Sequence, residues 1–207
     1  MLISYSQASY ALSPYMSELH ALILDAWNDS QSLISSNMQA VISTSARTRA
    51  SQVHDFFVTR AIEFAEGKDG IFFVKKNGMF ILVFPSIYGP IAVRFKKMDK
   101  DGFSRNIPTQ QVLDFKNQMP LKGMEVTHNL EIGYVLTDAQ DAISSIVMVC
   151  PSGKAIYWMA EITQDGSREN VVNLWEYRGE EEQSGDGFIV KPRKVEGNDK
   201  DATTDSN

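Results

Sequence analysis

Ile71-Phe72-Phe73-Val74-Lys75-Lys76-Asn77-Gly78-Met79-Phe80-Ile81-Leu82-Val83-Phe84 is the stretch that decides the fold. Two apolar runs rich in aromatic and β-branched residues flank Asn77-Gly78, a dipeptide that tolerates the positive φ values of a type I′ turn, so the segment reads as a β-hairpin. Pro85 ends the second run, because proline has no N–H to give to a ladder. Tyr88-Gly89-Pro90 then turns the chain into a third strand over 91–96. Its period of two sets Ile91, Val93 and Phe95 on one face and Arg94 with Lys96 on the other.

Upstream of the hairpin the period is helical. Ser13-Pro14 reads as an N-cap with proline at the first helical position, and Tyr15, Leu19, Leu22, Ile23 and Ala26 predict a short helix to about Trp27. Residues 28–45, rich in Ser, Asn and Gln around Leu33, Ile34, Met38, Val41 and Ile42, fit a second helix of poor intrinsic propensity. From Ser45, the positions Ala50, Val53, Phe57, Ala61 and Phe64 trace one helical face as far as Gly67, and Arg47, Arg49, Asp55, Glu63 and Glu66 decorate the rest.

Downstream, Asp99-Lys100-Asp101-Gly102 is a loop, and Pro108 or Thr109 opens a short helix over 108–119 with Val112, Phe115 and Met119 as its buried stripe. Strands follow at 130–137, 142–150 and 155–162, the last two joined by the turn Pro151-Ser152-Gly153-Lys154, with a final strand at 171–177. From Arg178 the composition collapses toward Glu, Gly, Asp, Lys, Ser and Thr, leaving Phe188-Ile189-Val190 as one apolar island. The expected fold is α+β: N-terminal helices (1–67) packed on a mainly antiparallel β-sheet (68–177), one short helix inserted between strands, and a disordered acidic C-terminal tail (178–207).

Composition excludes several classes of function. The longest apolar runs, such as 79–84, are too short to span a bilayer, and the N-terminus lacks a basic segment followed by an apolar one, so neither membrane nor secretion is expected. Cys150 is the only cysteine, which rules out an internal disulfide and agrees with a reducing cytoplasm. His20, His54 and His128 are far apart with no HxxxH or CxxC spacing, so no metal ligand is assigned. Nucleotide-binding glycine loops and a GxSxG elbow are also missing from the sequence, so no cofactor and no catalytic residue is assigned. Glu131 with Asp138 or Asp141 could still form a carboxylate pair through tertiary proximity, although solvated loop and strand positions account for them more simply. Cys150, at the end of an apolar strand, reads as a small core hydrophobe. Trp158, Trp175, Tyr157 and Tyr177 stand beside Glu161 and Glu176 rather than beside cations, which suits sheet packing better than base stacking.

The remaining signal is positive charge. Seven Lys and Arg residues lie between Arg94 and Lys122, opposed only by Asp99, Asp101 and Asp114, in a chain of net charge -6. Arg94, Lys96, Lys97, Arg105, Gln111 and Lys116 are therefore the candidate partner-binding residues, because strand, loop and short helix follow one another directly. The plainer reading makes Arg94, Lys96 and Lys97 the solvent face of a strand, where lysine discourages edge-to-edge pairing. A converged basic face suits an acidic protein, a run of nucleic-acid phosphates, or the acidic tail of the same chain.

The run Arg94-Phe95-Lys96-Lys97, Ser104-Arg105-Asn106, Thr109-x-Gln111 and Phe115-x-x-Gln118, with Gly133-Tyr134 and Val149-Cys150-Pro151 further on, resembles small bacterial and prophage proteins encoded near Xre-type regulators and ImmA/IrrE-type metallopeptidases. That resemblance implies a mobile-element, phage-defence or toxin–antitoxin setting. With no HExxH the chain is not itself the peptidase. The leading expectation is a non-catalytic cytoplasmic protein-interaction or regulatory protein, antitoxin-like, whose N-terminal helices support docking or a homo-oligomer. The alternatives are a nucleic-acid-binding regulator using the 94–122 surface and an enzyme whose site is assembled only in three dimensions.

Overall fold

The computed structural model describes residues 2–37, 44–76, 78–104, 109–120 and 126–172, with only the backbone described at Lys76 and 167–172. These residues belong to one compact unit, Met1–Tyr177, so the helical segment and the sheet segment share a core. The expected tail, 178–207, lies outside the described residues, as do 173–177 of the last expected strand.

The chain begins with a helix that the period alone did not reveal. Helix α1, Tyr5–Leu12, starts at a capping box in which the Ser4 side chain accepts from the Gln7 amide and the Gln7 side chain accepts from the Ser4 amide. Ser13-Pro14-Tyr15 is a 3-10 turn, and α2, Met16–Ser36, leaves it directly. The expected break near Trp27 is absent. Ala26 and Ser30 stay on the buried stripe of α2, so tertiary packing carries the helix through a segment of weak propensity. Helix α3, Ala46–Ala65, agrees with its sequence pattern: Ser45 caps the Thr48 amide, Val53, Phe57, Ala61 and Phe64 are buried, and Gly67 follows at φ +77.

Seven strands form one sheet in chain order among the described residues. They are β1 Phe72–Lys76, β2 Met79–Phe84, β3 Ile91–Met98, β4 His128–Leu136, β5 Ile143–Ser152, β6 Ala155–Thr163 and β7 Gly166–Val172. Every neighbouring pair is antiparallel except β3 and β4, which run parallel with Arg94 beside Glu131 and Lys96 beside Gly133. A parallel pair needs a crossover, and residues 99–127, carrying the short helix α4, Gln110–Lys116, supply it.

The sheet has a different cover on each face. Helices α1, α2 and α3 pack on the first, where Phe84, Val93, Phe95, Ile132 and Met148 join the helical stripes in the main core. Trp158 belongs to this layer and donates its indole N–H to the Ile3 carbonyl at 2.9 Å, which ties the N-terminus to β6. The apolar stripes of α2 and α3, expected to be available for self-association, are thus consumed within the chain.

The second face carries α4 and its flanks. Phe115 is fully buried and Val112 packs beside it, but Met119 is 54% exposed and lies past the end of the helix, so the expected stripe is shorter than its spacing implied. Side-chain amides fasten this helix to the sheet. Asn129 Nδ2 donates to the Phe115 carbonyl, and Gln118 Nε2 donates to the carbonyls of Asn129 and Pro151 at 2.8 and 2.9 Å. Gln118 Oε1 accepts from the Asn129 amide at 2.8 Å. Those bonds hold Gln118 at φ 57, a left-handed conformation costly for a non-glycine residue. On β4, Gly133 is required by close approach, since a Cβ there would collide with the Lys96 carbonyl.

Candidate functional site

Among the described residues, the expected basic set is divided between the two faces of the sheet. Period-two alternation along β3 sends Lys97 to the helical face with Phe95, and Arg94 with Lys96 to the face that α4 covers. Arg94 is 2% exposed and Glu131, its neighbour on β4, is 1% exposed. Arg94 Nη1 lies 3.5 Å from Glu131 Oε1, the guanidinium sits 4.8 Å from the centre of the Phe115 ring, and Ser104 Oγ donates to Glu131 Oε2 at 2.7 Å. Arg94 is therefore a structural clamp between β3, β4 and α4, which corrects its assignment to a partner-binding surface. Glu131 likewise pairs with Arg94, not with Asp138 or Asp141: Asp138 is bound to Lys100 at 2.7 Å and Asp141 accepts from the Thr137 hydroxyl.

Lys96 and Lys116 stay close to Arg94 and Glu131 on the α4 face, so this part of the expected set does converge, but around a buried ion pair. Lys96 is half-buried, and burial, with Arg94 and Lys116 adding repulsion against the pull of Glu131, lowers its ammonium pKa to about 8. Lys116 is half-buried and donates to the Ser104 carbonyl at 3.3 Å, while Gln111 is half-buried on α4. Arg105 lies outside the described residues. Cys150 is buried, its thiol pushed up to about 12 by burial, so it belongs to the core.

A different basic site is assembled on the helical side. A cleft of about 550 Å³ opens between the C-terminal part of α2, the first turns of α3 and the C-terminal ends of the parallel strands β3 and β4. Trp27, Val53, Tyr134 and Leu136 form its apolar floor, and Arg49 and Lys97 stand on its rim with the amides of Gln31 and Gln140 and with Asp138, whose carboxylate is paired with Lys100 at 2.7 Å. The Trp27 and Tyr134 rings are 5.6 Å apart and tilted by 50°, and Phe57 backs Tyr134 at 5.5 Å. Beside it lies a second recess of about 360 Å³, sharing Ala50, Lys97 and Tyr134 with the first and adding Arg47 and His54. Burial lowers the His54 pKa, with Lys96 acting in the same direction and Asp55 opposing it. Lys97 Nζ donates to Gln140 Oε1 at 3.3 Å, which holds the lysine along the rim.

The electrostatics of α3 are unusual. A helix N-terminus carries partial positive charge and favours acidic side chains in its first turn. The first turn of α3 has none and carries Arg47 and Arg49 instead, both exposed and neither in an ion pair among the described residues. The dipole and the arginines together concentrate positive potential over an apolar floor, an arrangement that suits a ligand with anionic groups around a nonpolar body.

Of the five expected residues that are described, only Lys97 contributes its charge to this site, and Lys96 lines the edge of the second recess. In the sequence alone, Arg47 and Arg49 decorate the outer face of their helix. The signal was present, since a serine-capped helix that opens on two arginines and no acid departs from the normal charge pattern. Trp27 and Tyr134 were hidden because nothing in the spacing of residues 27 and 134 places them together. Among the described residues, no group of three or more His, Cys, Asp or Glu side chains is placed to hold a metal ion, and no helix is long and apolar enough to cross a membrane. No family model matches the sequence, and neither a curated protein nor a solved structure matches the chain.

Proposed function

We propose that the chain is a non-catalytic cytoplasmic protein-interaction protein of regulatory type, which takes an acidic segment of a protein partner into the cleft between α2, α3 and the β3–β4 pair. The observation that carries this reading is the pair of arginines in the first turn of α3. They oppose the helix dipole at a cost of about 0.3–1 kcal/mol each, so an arrangement selected for stability alone would place acids there. An anion bound across Arg47, Arg49 and Lys97 offsets that cost. The resemblance of the sequence to prophage-associated proteins supports a mobile-element, phage-defence or toxin–antitoxin setting for such a partner. The nucleic-acid alternative has less support, because Arg94 is spent on Glu131 and fewer cations remain for a phosphate run.

The test is fluorescence anisotropy of the full chain with labelled Asp/Glu-rich peptides and, in parallel, a labelled DNA duplex, at low and at physiological salt. Peptide binding that is lost in the Arg47→Glu/Arg49→Glu variant is expected, while the thermal midpoint of that variant holds or rises. Binding that survives the double reversal rejects the cleft as the docking site. A duplex that binds more tightly than every peptide, with a steep loss of affinity on adding salt, replaces this reading with the nucleic-acid one.

A further inference from the structure

The cleft combines its cationic rim with a floor unsuited to an acid. Trp27 offers a half-buried ring there, with Tyr134, only 2% exposed, and the buried Val53 packed beneath it, and about 550 Å³ is within the range of pockets that enclose a compact organic group. Bringing a carboxylate onto that floor would strip its hydration without a charge to meet it. An aromatic side chain would instead extend the Trp27–Tyr134–Phe57 cluster, adding edge or offset contacts with rings already in place.

A second observation lies at the same spot. Of the serines of α2, Ser17, Ser32, Ser35 and Ser36 are exposed to water and Ser30 alone is buried, where a helical serine can return its hydroxyl to a carbonyl of the preceding turn. Ser35 does so to Gln31 at 2.9 Å and Ser36 to Leu33 at 2.8 Å. Ser30, which is 0% exposed and lines the cleft, has no hydrogen-bond partner for its Oγ. A buried hydroxyl left without a partner is unfavourable and invites a polar atom from outside.

We infer that the acidic segment is anchored by a tyrosine, whose ring packs on Trp27 and Tyr134, whose hydroxyl meets Ser30 Oγ, and whose flanking carboxylates lie against Arg47, Arg49 and Lys97. This deepens the proposed function and rests on it. The charges steer and orient the segment, and the ring supplies the contact that holds it. Discrimination then falls on a residue with two features, an aromatic body and a polar tip, flanked by acids.

The experiment uses the unmodified full chain and varies only the probe: three fluorescein-labelled peptides of the same Asp/Glu composition with Tyr, Phe or Ala at the centre. The expected order of affinity is Tyr, then Phe, then Ala. The Ala peptide should be weaker than Phe by about tenfold or more, the worth of burying one ring, and Phe weaker than Tyr by about three- to tenfold for one hydrogen bond. Ser30→Ala should remove the difference between Tyr and Phe while keeping that between Phe and Ala. Ala50→Trp, which fills the space shared by both recesses, should abolish binding of all three in a chain whose circular dichroism is unchanged. Equal affinity for the three peptides overturns the anchor while leaving an acidic docking site standing. Phe binding as tightly as Tyr overturns the role of Ser30. If none of the acidic peptides binds, the anchor and the docking function fail together.

Discussion

Breaking the buried Arg94–Glu131 pair should be far more costly than replacing it. At 3.5 Å the two charges attract by about 5 kcal/mol at an effective dielectric of 20, an attraction set against the desolvation of both ions. Arg94→Met removes the guanidinium and leaves the Glu131 carboxylate with the Ser104 hydroxyl as its hydrogen-bond donor. The expected loss is about 3–5 kcal/mol, including up to about 2 kcal/mol for the contact with Phe115. Glu131→Leu strands the arginine under α4 and should cost a similar amount. The double variant Arg94→Met/Glu131→Leu leaves no buried charge; it also gives up the Ser104 hydrogen bond to Glu131 and the cation contact with Phe115, which the packing of Met and Leu beneath α4 has to offset. It should unfold within about 1 kcal/mol of the parent, or later. Urea unfolding followed by tryptophan fluorescence measures all four states of this cycle. With a slope of about 2 kcal/mol/M, each single variant should shift its midpoint down by about 2 M, and added salt should change the coupling little because the pair is shielded from solvent. Single losses below about 1 kcal/mol, or a double loss equal to the sum of the singles, would refute the account of Arg94 as a clamp.

Three further outcomes follow from the same geometry. Lys96 loses its proton near pH 8 in the folded chain but near 10.5 when unfolded, so the unfolded state binds more protons between those values and stability rises with pH across that window. Lys96→Met should therefore be more stable than the parent at pH 7 by about 1–3 kcal/mol, with the gap closing toward pH 10.5; a gap constant with pH in denaturation curves would argue against a strained ammonium. Gln118→Ala orphans the Asn129 amide and two carbonyls at a left-handed residue, and should cost about 2–4 kcal/mol in the same assay, whereas a loss under 1 kcal/mol would mean that α4 is held by other contacts. The double reversal Arg47→Glu/Arg49→Glu should leave stability unchanged or raised by up to about 2 kcal/mol, which thermal unfolding checks independently of any binding measurement.

Local physics was legible along the chain. The positive φ of Gly78 between β1 and β2, the alternation of β3, the Ser45 cap and the stop at Gly67 each follow from constraints within a few residues, and with them came the long helices, the hairpin pairing and the α+β class. Period also sets Arg94 and Lys96 on the face of β3 opposite Phe95, but Lys97, one residue past the expected strand, is grouped with those two and not with Phe95. Period could not say that both faces are covered, because that depends on α4 folding back across β3 and β4 in a parallel crossover. The same limit hid α2 beyond Trp27, where packing outweighs propensity. Position in the tertiary structure made a cluster of cations in the sequence into two different things: a buried arginine fixed by Glu131 and Phe115, and a lysine shared by two neighbouring recesses, one lined by Arg49 and the other by Arg47. Charge is a property of the sequence, but its use depends on the dielectric and the partners around it, and only the packed chain supplies those.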